Sequence, residues 1–205
     1  MIDFNKVAAT WDANPKRVKL AHDVAEAMIR VLQPEQSMEA LDFGCGTGLV
    51  TLRLQPLVRS ITGVDSSPEM LAVLQDKVKR QGLTNVHTRL ADFDKGEVPE
   101  GRFDLLVSSM TLHHVPDTAA LLRLWFDLLV PGGLLGVADL DTEDGSFHGD
   151  NTGVFHLGFD RARIKKLLED TGFHQVQATT AAAMKKEIAG GGEREFTVFL
   201  VTGRK

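Results

Sequence analysis

Leu41-Asp42-Phe43-Gly44-Cys45-Gly46-Thr47-Gly48 is the stretch that decides the fold. A short apolar segment, 38–43, runs into alternate glycines, after which Leu49, Leu52, Leu54 and Leu57 fall at helical spacing. A strand that turns on glycine into a helix opens a βα unit, and glycine there permits positive φ and close approach of a ligand to the backbone. A dinucleotide fingerprint wants glycine at its first, third and sixth positions. Here the sixth position is Leu49, and the third glycine comes one residue early. Asp42 adds an electrostatic objection, because a pyrophosphate at this turn would meet a fixed carboxylate. A phosphate-free ligand carrying an ammonium and a second cationic centre would instead be welcomed.

Outward from that turn the pattern alternates. Before it, Val18, Leu20, Ala21, Val24, Ala25, Met28, Ile29 and Leu32 predict a helix within 7–32, ended by Pro34. After it come a strand over 60–64, a helix over 68–81 stopped by Gly82, and strands over 86–91 and 103–109. A helix over 117–129, a strand over 134–140, a helix over 160–171 and two closing strands near 176–180 and 196–202 complete the chain. Strands alternating with helices predict a doubly wound, mainly parallel α/β sheet with helices on both faces. Ligands of such sheets bind beyond the carboxyl ends of the strands. Each strand-end motif here falls at such a place.

Asp65 ends the second strand about twenty residues after the glycine turn. A carboxylate there accepts from both ribose hydroxyls of a nucleoside or, alternatively, caps the following helix, for which Ser66 and Ser67 also compete. Asp92 and Phe93 end the third strand. Asp92 is read either as an acceptor for an adenine exocyclic amine or as a solvated turn residue.

Composition narrows the function. The 205 residues are 43% hydrophobic and 25% charged, as in an ordinary globular chain long enough for one core and a cleft. Lys and Arg number 23 against 28 Asp and Glu, a net charge of -5, which disfavours nucleic acid and anionic membranes as partners. The single cysteine, Cys45, excludes an internal disulfide and a multi-cysteine zinc site. No apolar run is long enough to span a bilayer, and no signal-like segment is seen near the N-terminus, so a cytoplasmic protein is expected.

The motifs LDFGCGTG (41–48), GVDSSPEM (63–70), ADF (91–93), FDLLVSSMTLHHV (103–115) and LVPGG (129–133) together resemble those of class I S-adenosylmethionine-dependent methyltransferases. The branch they are most similar to is that of small-molecule enzymes near the quinone-biosynthesis C-methyltransferases. The resemblance spans roughly 38–140 and implies a seven-stranded Rossmann-like sheet with the last strand antiparallel. It implies S-adenosylmethionine as cofactor, which carries both an ammonium and a sulfonium and no phosphate. Asp42 and the loop of Gly44, Cys45, Gly46 and Gly48 would hold its methionine part, Asp65 with Ser66 its ribose, Asp92 and Phe93 its adenine. Met70 would edge the adenosine, and Ser109 would lie near the reactive methyl.

One domain is expected, with 1–37 as a helical lid segment, 38–140 as the cofactor core and 141–205 carrying an acceptor loop and the closing elements. Phe4, Trp11 and Arg17 are candidates for the lid or, equally, anchors of the first helix. The long segment 142–158, with Phe147, His148, Phe155 and His156, is the other lid candidate. His113 and His114 follow the fourth strand and read either as candidate catalytic bases, His113 favoured for the proton, or as residues that orient the loop or cap the next helix, and the resemblance implies the structural role for His114. No metal site is expected, because the acidic run 139–150 follows no coordination spacing. Cys45 reads as a small residue that fits among glycines rather than a nucleophile. The rival readings are a nicotinamide-dependent oxidoreductase and a non-catalytic S-adenosylmethionine-binding scaffold. The acceptor is expected to be a small molecule.

Overall fold

The computed structural model describes residues 3–91, 97, 100–187 and 191–205. In chain order the elements are α1 Phe4–Val7, α2 Pro15–Leu32, β1 Glu39–Phe43, α3 Thr51–Leu54, β2 Ser60–Asp65, α4 Pro68–Gln81 and β3 Val86–Leu90. They continue with β4 Phe103–Ser109, α5 Thr118–Leu128, β5 Leu129–Leu140, α6 Arg161–Thr171, β6 His174–Glu187 and β7 Glu193–Arg204. The strands form one seven-stranded sheet in the order β3-β2-β1-β4-β5-β7-β6. β1 to β5 are mutually parallel, and β7 runs antiparallel to both neighbours. Strand order reverses between β1 and β4, which opens a crevice at their carboxyl ends.

Local chemistry sets the helix ends. Ser67 caps α4 by accepting from the Met70 N–H at 3.1 Å, Pro68 occupies its first turn, and Gly82 closes it at φ 62°. Asp117 and Asp160 cap α5 and α6 in the same way. The apolar stripes then bury on opposite faces of the sheet. On one face Leu20, Val24 and Met28 of α2 pack with Leu54 and Leu74 over Ile61 and Leu105. On the other, Leu121, Leu122 and Trp125 of α5 join Ile164 and Leu168 of α6 over Leu41, Phe43 and Leu106. Trp125 meets Phe43 edge to face at 5.1 Å, and full burial of an aromatic of this size contributes about 1.5–3 kcal/mol.

Three expectations about element ends are corrected. The first helix is broken at Asn14-Pro15: Asn14 accepts from the Lys16 and Arg17 N–H groups, so 4–13 forms a separate strap of α1 and a 3₁₀ turn. The helix after the glycine turn is one short turn, because Pro56 cannot donate to its continuation and a 3₁₀ turn follows. The closing strands form a hairpin that pairs out to Glu187 and Glu193. Its far end is polar (Lys185, Lys186, Arg194, Glu195) and carries no apolar alternation to announce it.

Candidate active site

The crevice is a cleft of about 540 Å³ lined from β1, β2, β4, α2, α4, α5 and the N-terminal strap. Its floor is the glycine turn. The Gly44 and Cys45 N–H groups donate to the Val64 carbonyl at 2.8 and 3.0 Å, which holds the turn against β2. The three glycines then serve different ends. A methyl at Gly44 would fall 2.2 Å from Thr111 Oγ1, and one at Gly48, where φ is 81°, would fall 2.3 Å from Leu74 Cδ1. At Gly46, by contrast, nothing lies within 4 Å of that position. Gly46 therefore presents bare backbone to the cleft, whereas Gly48 admits the α4 side chain and does not line the cleft.

Two carboxylates face this edge. Asp42 is 1% exposed and accepts from Thr51 Oγ1 at 2.5 Å. Burial pushes its carboxyl up to about 7, and the nearby Asp65 charge adds to the rise. Asp65 accepts from the Gly46 N–H at 2.7 Å through Oδ2 and from the Ser67 N–H at 2.9 Å through Oδ1. Burial raises its carboxyl too, against those backbone donors. Ser67, not Asp65, caps α4, and the Asp65 carboxylate, which can accept about four hydrogen bonds, retains capacity for a ligand beside its backbone donors. Among the described residues neither carboxylate is joined to a lysine or arginine.

Ser66, Met70 and Ser109 line the same cleft, as do Asp42, Gly44, Cys45, Gly46 and Asp65. Cys45 is buried, and its thiol is pushed well above its ordinary range, first by that burial and then by the Asp42 and Asp65 charges. It is held protonated, which suits packing and not attack. Asp92 and Phe93 lie outside the described residues. Met110 adopts φ 55° just after β4, a left-handed conformation at the cleft wall.

The histidine pair is placed in the reverse of the expected order. His114 lines the cleft, while His113 is 1% exposed and lies behind the wall. The 3₁₀ turn Leu112–His114 separates their directions, and buried Asp139 takes His113 through Nδ1 at 2.7 Å. Asp139 also accepts from the His113 and Leu140 N–H groups. His114 Nδ1 donates to the Gly153 carbonyl at 2.8 Å, which leaves the lone pair on Nε2, with no hydrogen-bond partner among the described residues. Burial and the neighbouring His113 hold the His114 imidazole below its ordinary pKa.

The N-terminal strap reaches the cleft through Phe4 and Trp11, and α2 adds Arg17, Leu20 and Ala21. Phe4 packs edge-on against Trp11 and His114 at 5.7 and 5.5 Å, and Arg17 stacks on Trp11 at 3.6 Å. Residues that sequence reasoning did not connect with the N-terminus stitch the strap down. Thr47 donates to Asp12 at 2.7 Å, Lys77 pairs with Asp12 at 2.5 Å, and Ser67 Oγ donates to Asn5 at 2.6 Å. No spacing signals these, since the partners are 35 to 65 positions apart. The other lid candidate, 142–158, contributes no side chain to the cleft lining. Phe147 instead packs on Phe196 at 5.2 Å, and Phe155 is 55% exposed. The segment brings His148 against His113 and His114, a grouping that reading it as part of an acidic run had not anticipated.

Comparison with known proteins follows the same lines. Residues 40–133 match a family model described as a methyltransferase domain. An uncharacterized methyltransferase of Schizosaccharomyces pombe is 36% identical over 138 residues, covering 60% of this chain and 49% of the relative. A ubiquinone biosynthesis O-methyltransferase of Cereibacter sphaeroides is 32% identical over 159 residues, covering 70% of this chain and 64% of the relative. The chain thus spans roughly half to just under two thirds of the length of these relatives. The crystal structure of an S-adenosylmethionine-dependent methyltransferase from Aquifex aeolicus superposes with a TM-score of 0.71 at 20% identity, covering 100% of this chain and 99% of that one. The quinone-related relative is an O-methyltransferase, whereas the sequence motifs had pointed towards the C-methyltransferases. The match over residues 40–133 is thus to a methyltransferase domain, and the superposition shows a shared fold along the chain.

Proposed function

We propose that this methyltransferase-domain chain binds S-adenosylmethionine in the β1–β4 crevice and transfers its methyl group to a small acceptor. The observation that carries the reading is the pair of carboxylates, buried Asp42 and half-buried Asp65, beside the bare backbone of Gly46. Such a wall suits a cationic, phosphate-free nucleoside and repels a pyrophosphate. That argument, with Leu49 in the place of the third fingerprint glycine, stands against the nicotinamide alternative.

When bound, S-adenosylmethionine supplies a methyl carbon already activated by its sulfonium. The chain then has only to hold, align and keep dry. Asp42 and the Gly44–Gly46 backbone receive the amino-acid part, and Asp65 with Ser66 accepts from the ribose hydroxyls. Met70 flanks the adenosine, and Ser109 stands at the end of β4 near the reacting carbon. Asp92 and Phe93 are assigned the adenine on the motif alone. The strap residues Phe4 and Trp11, with Arg17 of α2, cover the cleft and exclude water, with 38–140 as core and 1–37 as lid. His114, whose Nε2 carries the lone pair at the wall, takes the proton from an acceptor that carries one. His113 acts behind it as a positioning residue, itself fixed by Asp139.

The net charge of -5 supports a small molecule rather than a nucleic acid, and a single cysteine supports a reducing, cytoplasmic setting. The test is release of S-adenosylhomocysteine when the chain is given S-adenosylmethionine and a panel of phenols, amines, thiols and acidic C–H compounds. Turnover with one class identifies the acceptor. Tight cofactor binding with no turnover across the panel would make the chain a scaffold and overturn the enzymatic reading.

A further inference from the structure

Beside the cleft, three imidazoles converge. His113, His114 and His148 each offer a ring nitrogen, and these nitrogens lie within 4.8 Å of one another. The ring centres are separated by 4.1 Å (113–114), 5.0 Å (113–148) and 5.8 Å (114–148). Two of the rings are oriented from behind. His113 Nδ1 is held by the fully buried Asp139 carboxylate and His114 Nδ1 by the Gly153 carbonyl, so in both the lone pair left over is on Nε2. The third ring, His148, has a buried Nδ1 with no hydrogen-bond partner among the described residues. A buried polar nitrogen without a partner is rare enough in a folded chain to ask for a ligand.

We infer that His113, His114 and His148 form a binding site for one divalent transition-metal ion of the zinc class. Three imidazoles with a carboxylate behind one of them are the donor set that borderline metals such as Zn²⁺ and Co²⁺ favour. On one ion at about 2.0–2.1 Å, tetrahedral imidazole nitrogens sit about 3.3 Å apart, so the widest separation here has to close by about 1.5 Å. His148 lies on the loop between β5 and α6, where a rotation of one side chain supplies that movement. Charge is also accommodated. Asp139 lies on one side of the cluster, and Lys186, packed 4.5 Å over the Phe147 ring, is opposed by the Glu143 carboxylate. Three protein ligands leave a fourth position for water or for an oxygen of a bound molecule. The ion would occupy the His114 Nε2 that otherwise takes a proton, so metal-loaded and proton-accepting His114 are alternative states of one nitrogen. The site stands independently of methyl transfer.

The test is metal binding itself. The chain, stripped with chelator and dialysed, is titrated with Co²⁺ and followed by visible absorption, then challenged with Zn²⁺. The expected result is one equivalent of Co²⁺, with the intense bands of a four- or five-coordinate site, bleached by one equivalent of Zn²⁺. His148→Ala should abolish those bands while the circular dichroism spectrum and S-adenosylmethionine binding persist. His148→Gln, which keeps the ring's approximate volume, should abolish them too if the alanine variant does not fold. Exposed His22→Ala should leave the titration unchanged. Absence of stoichiometric Co²⁺ binding by the folded chain, or binding undiminished when His148 is replaced, would overturn the proposal. Because S-adenosylmethionine binding is read separately, failure of the metal site and failure of the methyltransferase reading are distinguishable.

Discussion

Two loops leave the carboxyl rim of the same sheet, and they are built differently. The glycine turn after β1 is organised by backbone: its N–H groups reach Val64 and Asp65 on the adjacent strand, and its glycines meet Thr111 and Leu74 at distances no side chain tolerates. The loop after β5, 142–159, relies in addition on its own side chains and on contacts to remote segments. His156 donates to Val115, Glu143 gathers the Gly145 and Phe147 N–H groups, and Phe147 rests on Phe196. The first arrangement fixes a cofactor-sized edge with little freedom to vary. The second leaves its outer face, with Phe155 and Leu157, exposed and free to change without disturbing the first.

The sharpest way to break this contrast is to remove charge from the first loop and bulk from the second. Asp65→Ala and Asp42→Asn should each weaken S-adenosylmethionine binding by more than tenfold by titration calorimetry, in line with about 1.5–3 kcal/mol for a hydrogen bond to a charged group. Phe155→Ser should leave that affinity within about twofold. Next in size is a pH effect. Because burial lifts the Asp42 carboxyl to about 7, the folded cofactor-free chain holds a proton there that the unfolded chain releases near 4. Its stability should therefore fall as pH rises from about 4 to 7 on this account, while affinity for a cationic ligand should climb about tenfold between pH 6 and 8. Asp42→Asn should flatten both profiles.

A glycine comparison follows. Gly48→Ala adds a methyl 2.3 Å from Leu74 at φ 81° and should cost about 1–3 kcal/mol in denaturant unfolding. Gly149→Ala, with nothing within 4 Å, should stay within about 0.5 kcal/mol. Smallest is the strap: Thr47→Val removes the hydrogen bond to Asp12 and should lower cofactor affinity two- to fivefold, about the worth of one neutral hydrogen bond.

The same contrast explains what was legible in the sequence. Wherever neighbours in sequence fix the structure, the reading succeeded: β4 at Phe103–Ser109 and α4 at Pro68–Gln81 have the expected bounds, because a buried run and a Ser-Pro start with a glycine stop are local signals. The order of the motifs likewise placed Asp42, Asp65, Ser66, Met70 and Ser109 around one cleft. What failed depends on contacts between remote segments. That His113 turns inward follows from Asp139, 26 positions away, and the histidine triplet exists only because the β5–α6 loop folds back on the β4 end. The polar outer half of the β6–β7 hairpin is held by pairing across the hairpin, which no apolar period records.

The central claim is that the Asp42–Gly46–Asp65 edge accepts a cationic nucleoside and refuses a pyrophosphate. Titration calorimetry of the chain against S-adenosylmethionine, S-adenosylhomocysteine and NADH tests it most directly. One-to-one binding of the first two with no heat from the third is the result predicted here. Binding of NADH with none of S-adenosylmethionine would contradict it.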